Sequence, residues 1–260
     1  MAFLKGKRAV IVGLASNRSI AWGIAQALRN EGAELAFSYQ NSKLQGRVEK
    51  MASELDSNIT APMDVAEDHQ INIFFKDLRK TWEGFDILVH SVAFAPSDQL
   101  EGGYLDSINR EGFRVAHEIS SYSLSALANT ARPMMSNRNG AILTMSYLGA
   151  VRALPSYIVM CLAKGSLEAS VRILALYLGK EGIRVNAISA GPMRTISGAA
   201  IAKAREIYKY TEKNSPLHRN VRLDELGNTA LYFVSDLSKA VSGEIHYVDC
   251  GFNIIGMPQY

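Results

Sequence analysis

Short apolar runs recur along this chain between longer segments of helical period, and that alternation restricts the fold more than any other feature. Ala9-Val-Ile-Val12, Leu35-Ala-Phe37, Ile87-Leu-Val89, Ala141-Ile-Leu-Thr-Met145, Val185-Asn-Ala-Ile188 and Ile245-His-Tyr-Val248 read as strands, with a weaker strand at 59–63. Residues 19–30, 43–55, 67–82, 111–135, 157–178 and 224–234 read as helices. Strands that are apolar on successive residues are buried on both faces, and strand-helix alternation demands right-handed crossovers. The expected fold class is therefore α/β, a doubly wound Rossmann-type parallel sheet flanked by helices. The 260 residues suffice for one such core, and no linker, low-complexity tract or internal repeat divides them, so a single domain over 1–260 is expected. In such sheets ligands bind beyond the carboxyl ends of the strands. The unusual residues of this chain cluster there.

Composition removes several classes of function. A net charge of +3 gives no reason to expect nucleic acid, and Lys5, Lys7 and Arg8 read as the solvated lead-in to a strand. The apolar run from Ala9 to Ala15 mimics a signal peptide, but it is short and passes into Asn17-Arg18-Ser19 and an amphipathic helix. Neither a cleaved signal nor a membrane span is expected. Cys161 and Cys250 make no disulfide framework, read as small packed residues, and point to a reduced, cytoplasmic protein. His69, His90, His117, His218 and His246 are scattered without metal-ligand spacing, so no catalytic metal is expected.

The first strand runs into Gly13-Leu-Ala-Ser-Asn-Arg-Ser-Ile-Ala-Trp-Gly23, a turn of small residues in which Ser19 stands ready to cap the next helix. Such a turn lets backbone N–H groups and a helix N-terminus approach a pyrophosphate. It departs from the Gly-x-Gly-x-x-Gly pattern, so phosphate binding and an ordinary strand-to-helix connection both remain open. After the second strand, Gln40 holds the position where dinucleotide folds often place an acid for the ribose. A neutral amide can bond a 2′-hydroxyl, and no cation sits immediately there for a 2′-phosphate, which favours NADH over NADPH. Lys43 weakens that preference unless it is a solvated first-turn lysine. Asp64-Val65, ending the third strand, suits either an adenine edge or a helix N-cap.

Tyr157 and Lys164 stand seven residues apart, with Tyr147 ten residues upstream of the first. On a helix, seven steps turn roughly 700° and rise about 10.5 Å, so a phenol and an ammonium at this spacing share one face two turns apart. One group can meet a substrate while the other holds a cofactor.

Taken with Ser91-Val-Ala-Phe-Ala-Pro96, Ser146-Tyr-Leu-Gly149 and Ala190-Gly-Pro-Met-Arg-Thr195, these motifs make the chain resemble the bacterial NADH-dependent enoyl-acyl-carrier-protein reductases, from Leu4 to about Gly256. Ordinary short-chain dehydrogenases place three residues between Tyr and Lys, and usually a serine where Tyr147 stands. The resemblance implies a homotetramer in type II fatty-acid synthesis that reduces the trans-2 double bond of an acyl chain on acyl carrier protein. It implies cofactor contacts at Gly13, Ser19, Ile20, Gln40, Asp64, Val65, Val92, Lys164, Met193, Arg194, Thr195, Ile196 and Ser197, and a substrate contact at Ala95. Tyr157, as a neutral phenol, is expected to hydrogen-bond the enolate oxygen formed when hydride reaches the β-carbon, and Lys164 to hold the nicotinamide ribose. Tyr147 is expected to shape the pocket, orient the thioester or join a proton path, or to be structural.

Ile158, Cys161 and Gly165 depart from the family pattern, where Asn, Gly and Ala are common. A segment at about 193–215 is expected to cover the substrate, but Ala202, Ala204 and Glu206 replace frequent lysines and an aromatic. Lys203 and Arg205 remain as partners for an acidic carrier; alternatively 201–210 is an ordinary surface helix. A carbonyl reductase of the wider dehydrogenase family and a non-catalytic dinucleotide-binding protein are the alternative readings, the first disfavoured by the Tyr-to-Lys spacing.

Overall fold

A computed structural model describes residues 2–154, 157–195 and 204–257. Strands β1 (Arg8–Val12), β2 (Glu34–Tyr39), β3 (Thr60–Pro62), β4 (Ile87–His90), β5 (Ala141–Ser146), β6 (Arg184–Ala190) and β7 (Ile245–Val248) form one sheet. Their order is β3-β2-β1-β4-β5-β6-β7, and every neighbouring pair is parallel. The chain turns back at β1, so β1 and β4 are neighbours although two strands intervene in sequence, which opens a crevice beyond their carboxyl ends.

Two separate cores explain why the strands are apolar on consecutive residues. In β1, Ala9 and Ile11 pack into the layer containing helices α1 (Ile20–Asn30) and α2 (Ser42–Glu54). Val10 and Val12 pack on the other face, against α3 (Asp68–Leu78) and, further along the sheet, the long helices described below. Successive side chains of a strand point to opposite faces, so a strand with helices on both sides must be apolar at every position.

The helices bury one stripe each. In α1, Ala21, Ile24, Ala25 and Leu28 recur at the spacing of one helical face and are all fully buried. Its partner is the helix Leu223–Val234, whose start is closed by the Arg222 N–H donating to the Glu225 carboxylate at 2.9 Å. These two helices touch through glycines: a Cβ at Gly227 would lie 2.5 Å from the Gly23 carbonyl oxygen.

The expected helix at 111–135 proves to be three pieces in continuous succession. After a short helix α4 (Tyr104–Ser107) come α5 (Arg110–His117), a π-helical turn at Glu118–Tyr122, and α6 (Ser123–Met135). Apolar periodicity cannot reveal the extra residue of a π turn, because the pattern resumes one position later on each side. Helix α7 (Ile158–Leu178) crosses back to β6, α8 (Ala204–Asn214) follows β6, and Leu223–Val234 is α9.

Replacing Gly227 with Ala forces α1 and α9 apart, and a loss of about 1–3 kcal/mol is expected for such overpacking. Urea unfolding monitored by circular dichroism measures it.

Candidate active site

The carboxyl ends of β1, β4, β5 and β6 bring together four of the segments singled out in the sequence. Gly13 follows β1 with φ +101°, a conformation that disfavours any residue with a Cβ, and an added Cβ would lie 2.1 Å from the Ser91 carbonyl oxygen. The ends of β1 and β4 are therefore in direct backbone contact.

Ser19 does occupy the N-cap position of α1, but its side chain makes no capping bond to the helix. Its hydroxyl instead donates to the Ser16 carbonyl at 2.6 Å. The expected capping role is thus corrected, because the tight loop before the helix offers a nearer acceptor.

Gln40 and Asp64 meet at the ends of β2 and β3, where the Gln40 amide donates to the Asp64 carboxylate at 3.0 Å. The other Asp64 oxygen accepts from the Ala66 N–H at 3.0 Å. The N-cap of α3 is Glu67, so Asp64-Val65 is a turn before the helix and not its cap. Val65 is buried, and Lys43 is exposed on the first turn of α2.

Lys164 lies on α7 with its ammonium buried beneath the ends of β4 and β5. It donates to the Met145 carbonyl at 2.8 Å and to the Val92 carbonyl at 3.3 Å. Burial pulls its pKa down to about 7, and the neighbouring Glu168 carboxylate opposes that shift. Glu168, one turn further along α7, is itself buried and accepts from the Ser146 hydroxyl at 2.6 Å. Its pKa is raised by burial, with Ser146, Arg172 and Lys164 working in the opposite direction. On the next strand position across, His90 is fully buried between Thr144 and Ser123, at 2.7 Å and 2.8 Å. Burial and then Lys164 hold its pKa down at about 3, so it is a neutral structural residue.

Tyr157 is not the first residue of the helix but its N-cap, with φ −151° and ψ 39°. Helical geometry consequently does not aim its phenol, and the shared-face argument holds only for the residues from Ile158 onward. Its ring is set by Tyr147, which meets it edge to face at a centroid distance of 5.3 Å. The Tyr147 hydroxyl lies 3.0 Å from the Cys161 sulfur and donates to the Tyr157 carbonyl at 3.4 Å. The Cys161 N–H donates to the same carbonyl at 3.2 Å. Cys161 was expected only to pack, so its bond to Tyr147 is a contact that residue type and spacing do not reveal. Burial, then Cys161, pushes Tyr157 up to about 12 and raises Tyr147 further.

Ala95 is buried in a small apolar cluster of its own with Leu100, Ala116, Val159 and Met160, against which Tyr157 packs. After β6, Met193 packs on the core and the Arg194 guanidinium lies over the Tyr208 ring of α8 at 4.7 Å. Arg194 therefore faces α8 in this structure. The Thr195 N–H donates to the Met193 carbonyl at 2.9 Å. Ile196, Ser197, Ala202 and Lys203 lie outside the described residues.

The family model for enoyl-(acyl carrier protein) reductase matches residues 13–253. The chain belongs to that family. It is 56% identical over 254 residues to the NADH-dependent enoyl-(acyl carrier protein) reductase of Neisseria meningitidis, covering 98% of this chain and 97% of the relative. The crystal structure of the NADH enoyl-(acyl carrier protein) reductase of Aquifex aeolicus superposes with a TM-score of 0.96 at 43% identity, covering 98% of this chain and 99% of that one. The reductase of Anaplasma phagocytophilum, solved in complex with NAD, superposes with a TM-score of 0.95 at 43% identity, covering 99% and 98%. Within this family fold, the carbonyl reductase and the non-catalytic reading have no separate observation in their favour.

Among the described residues no group of three or more His, Cys, Asp or Glu is arranged to hold a metal ion, and no helix is long and apolar enough to cross a membrane.

For this enoyl reductase, replacing Cys161 with Ala removes the 3.0 Å partner of the Tyr147 hydroxyl. A stability loss of about 0.5–1.5 kcal/mol is expected for one partly buried hydrogen bond. Urea unfolding measures it, and Cys161→Ser should restore most of it.

Proposed function

We propose that the chain reduces the trans-2 double bond of enoyl thioesters on acyl carrier protein, with NADH as reductant, in type II fatty-acid synthesis. The observation that carries this reading is the placement of Tyr157 at the mouth of α7, whose Lys164 is buried under the β4 and β5 ends, in a chain 56% identical to a named NADH enoyl reductase.

The residues present fit a dinucleotide. At Gly13 the two strand ends leave no room for a side chain, which keeps backbone exposed where a pyrophosphate would approach, and Ser19 leaves the start of α1 free of its own side chain. With its N–H₂ committed to Asp64, the Gln40 amide turns its oxygen into acceptor for a ribose 2′-hydroxyl. The Asp64 carboxylate beside it repels a 2′-phosphate, which supports NADH over NADPH. Ile20, Val65, Val92, Met193, Arg194 and Thr195 complete the proposed cofactor set, with Ile196 and Ser197 outside the described residues.

Bound NADH supplies the hydride. Tyr157 is a neutral phenol at physiological pH, as any phenol of ordinary pKa is, and burial pushes it further up to about 12, so it retains the proton needed to donate to the enolate oxygen. Tyr147 has its hydroxyl turned to Cys161 and to the Tyr157 backbone, so its role in this proposal is to orient Tyr157. Lys164 offers its ammonium to the nicotinamide ribose and adds a positive field. Ala95 lines the thioester side. The segment at about 193–215 covers the substrate, with exposed Arg205 meeting the acidic carrier. A homotetramer is part of the same reading, supported by the exposed apolar side chains Ile173, Leu176 and Tyr177 on α7, as is a cytoplasmic location.

Purified protein should oxidise NADH, and NADPH far more slowly, in the presence of crotonyl or longer 2-enoyl thioesters. Inertness toward all of them overturns the reading. Tyr157→Phe should lower kcat by about 10²–10³-fold, the usual cost of removing one preorganised oxyanion donor. For pH, the sign follows from Lys164: its ammonium is present below about pH 7 and lost above it. NADH should therefore bind more weakly as pH rises through about 7, and Lys164→Met should flatten that dependence in a calorimetric titration.

A further inference from the structure

The loop that follows β4 has no regular structure, yet its backbone is held at two points by side chains from different elements. The first point is the Val92 carbonyl, which accepts from Lys164. The second is Phe94, where Ser120 engages both polar backbone groups of one residue. The Phe94 N–H donates to the Ser120 oxygen at 2.9 Å, and the Ser120 hydroxyl donates to the Phe94 carbonyl at 2.9 Å. Ser120 is fully buried and sits in the π-helical turn between α5 and α6.

That turn explains how one short stretch serves three neighbours. A π turn carries one residue more than an α turn, which changes the directions of the side chains around it. Here Ser120 meets the loop, Ser121 donates to Ser166 of α7 at 2.9 Å, and Ser123 reaches His90 at the end of β4 at 2.8 Å. The turn thus ties the loop to the helix that carries Lys164 and begins at Tyr157. Ser120 also lies 3.6 Å from the Met160 sulfur, and Met160 belongs to the apolar cluster that encloses Ala95 and supports Tyr157.

We infer that Ser120 is a positioning residue for the thioester: by clamping Phe94 it sets Ala95 at a fixed offset from Tyr157, independently of the cofactor half of the loop. The division follows from the two anchors. Val92 and Lys164 lie on the proposed cofactor side, Phe94 and Ala95 on the proposed thioester side, so loss of Ser120 releases one side and leaves the other pinned. Without the hydroxyl, the Phe94 N–H and C=O must find water, and the loop samples other conformations. The inference rests on the enoyl-reductase reading.

Steady-state kinetics of Ser120→Ala with a 2-enoyl thioester and NADH test it, alongside NADH affinity by fluorescence titration. KM for the thioester should rise roughly tenfold, the scale set by losing a buried hydrogen-bonded partner, while NADH affinity and kcat at saturating thioester stay within about twofold. Ser120→Cys, close in size but a weak hydrogen bonder, should fall between wild type and Ser120→Ala and also serves if the alanine variant does not fold. An unchanged KM in both variants overturns the inference, as does a parallel loss of NADH affinity, which would mark Ser120 as a general structural residue. Absence of turnover in the wild-type protein would instead overturn the enoyl-reductase reading itself.

Discussion

Burial of a single parallel sheet on both faces is the constraint from which the rest of the molecule follows. Because the central strands have helices above and below, each crossover must return the chain to the same starting edge. All the strands then end together, and the loops after β1, β4, β5 and β6 converge on one rim. The reversal of strand order at β1 and β4 opens the crevice there, and the contact between Gly13 and Ser91 closes its floor. On the opposite rim, Asp86 accepts from the Arg8 N–H and pairs with Lys7 and Arg138.

On the converging rim the protein keeps a cation and a carboxylate where water cannot solvate them. Lys164 and Glu168 lie one helical turn apart on α7, both nearly inaccessible; Lys164 is satisfied by carbonyls of β5 and of the loop after β4, and Glu168 by Ser146 of β5, rather than by a tight ion pair. Burial of this kind is costly unless every polar group has a partner. The consequence is a lysine whose charge responds near neutral pH, a property that a solvated lysine would not have. The π turn contributes to the same rim, because its serines connect the β4 loop and α7, and Ser123 just after it reaches the end of β4.

Much of the fold was legible in the chain itself. Two-sided burial leaves unbroken apolar runs, and those runs locate the central strands to within a few residues; β2 and β6 extend further, to Glu34 and Ala190, and Glu34 also pairs with Arg8 across the strands through its carboxylate at 3.4 Å. The helices were legible for the same reason wherever one face is buried. Tyr157, Tyr147, Lys164 and the Gly13 turn were legible as a candidate site because their spacing matches a family pattern. Ser120 and the Cys161 contact were not. Serine and cysteine are common packed residues, and nothing in their neighbours announces a partner 26 or 14 positions away.

By itself, then, the sequence determined the parallel α/β architecture, the family, and the candidate groups gathered at the carboxyl rim of the sheet, since periodicity and spacing are local properties. Tertiary structure alone decided how those groups are aimed. It put Tyr157 at a helix cap rather than on a helical face, turned Ser19 away from the helix it precedes, and tied Gln40 to Asp64 across two strands. The Gln40–Asp64 bond joins segments 24 positions apart, while Ser19 turns to Ser16 in its own tight loop; in both, the nearest competing donor or acceptor, and not the residue type, settles the direction of the side chain.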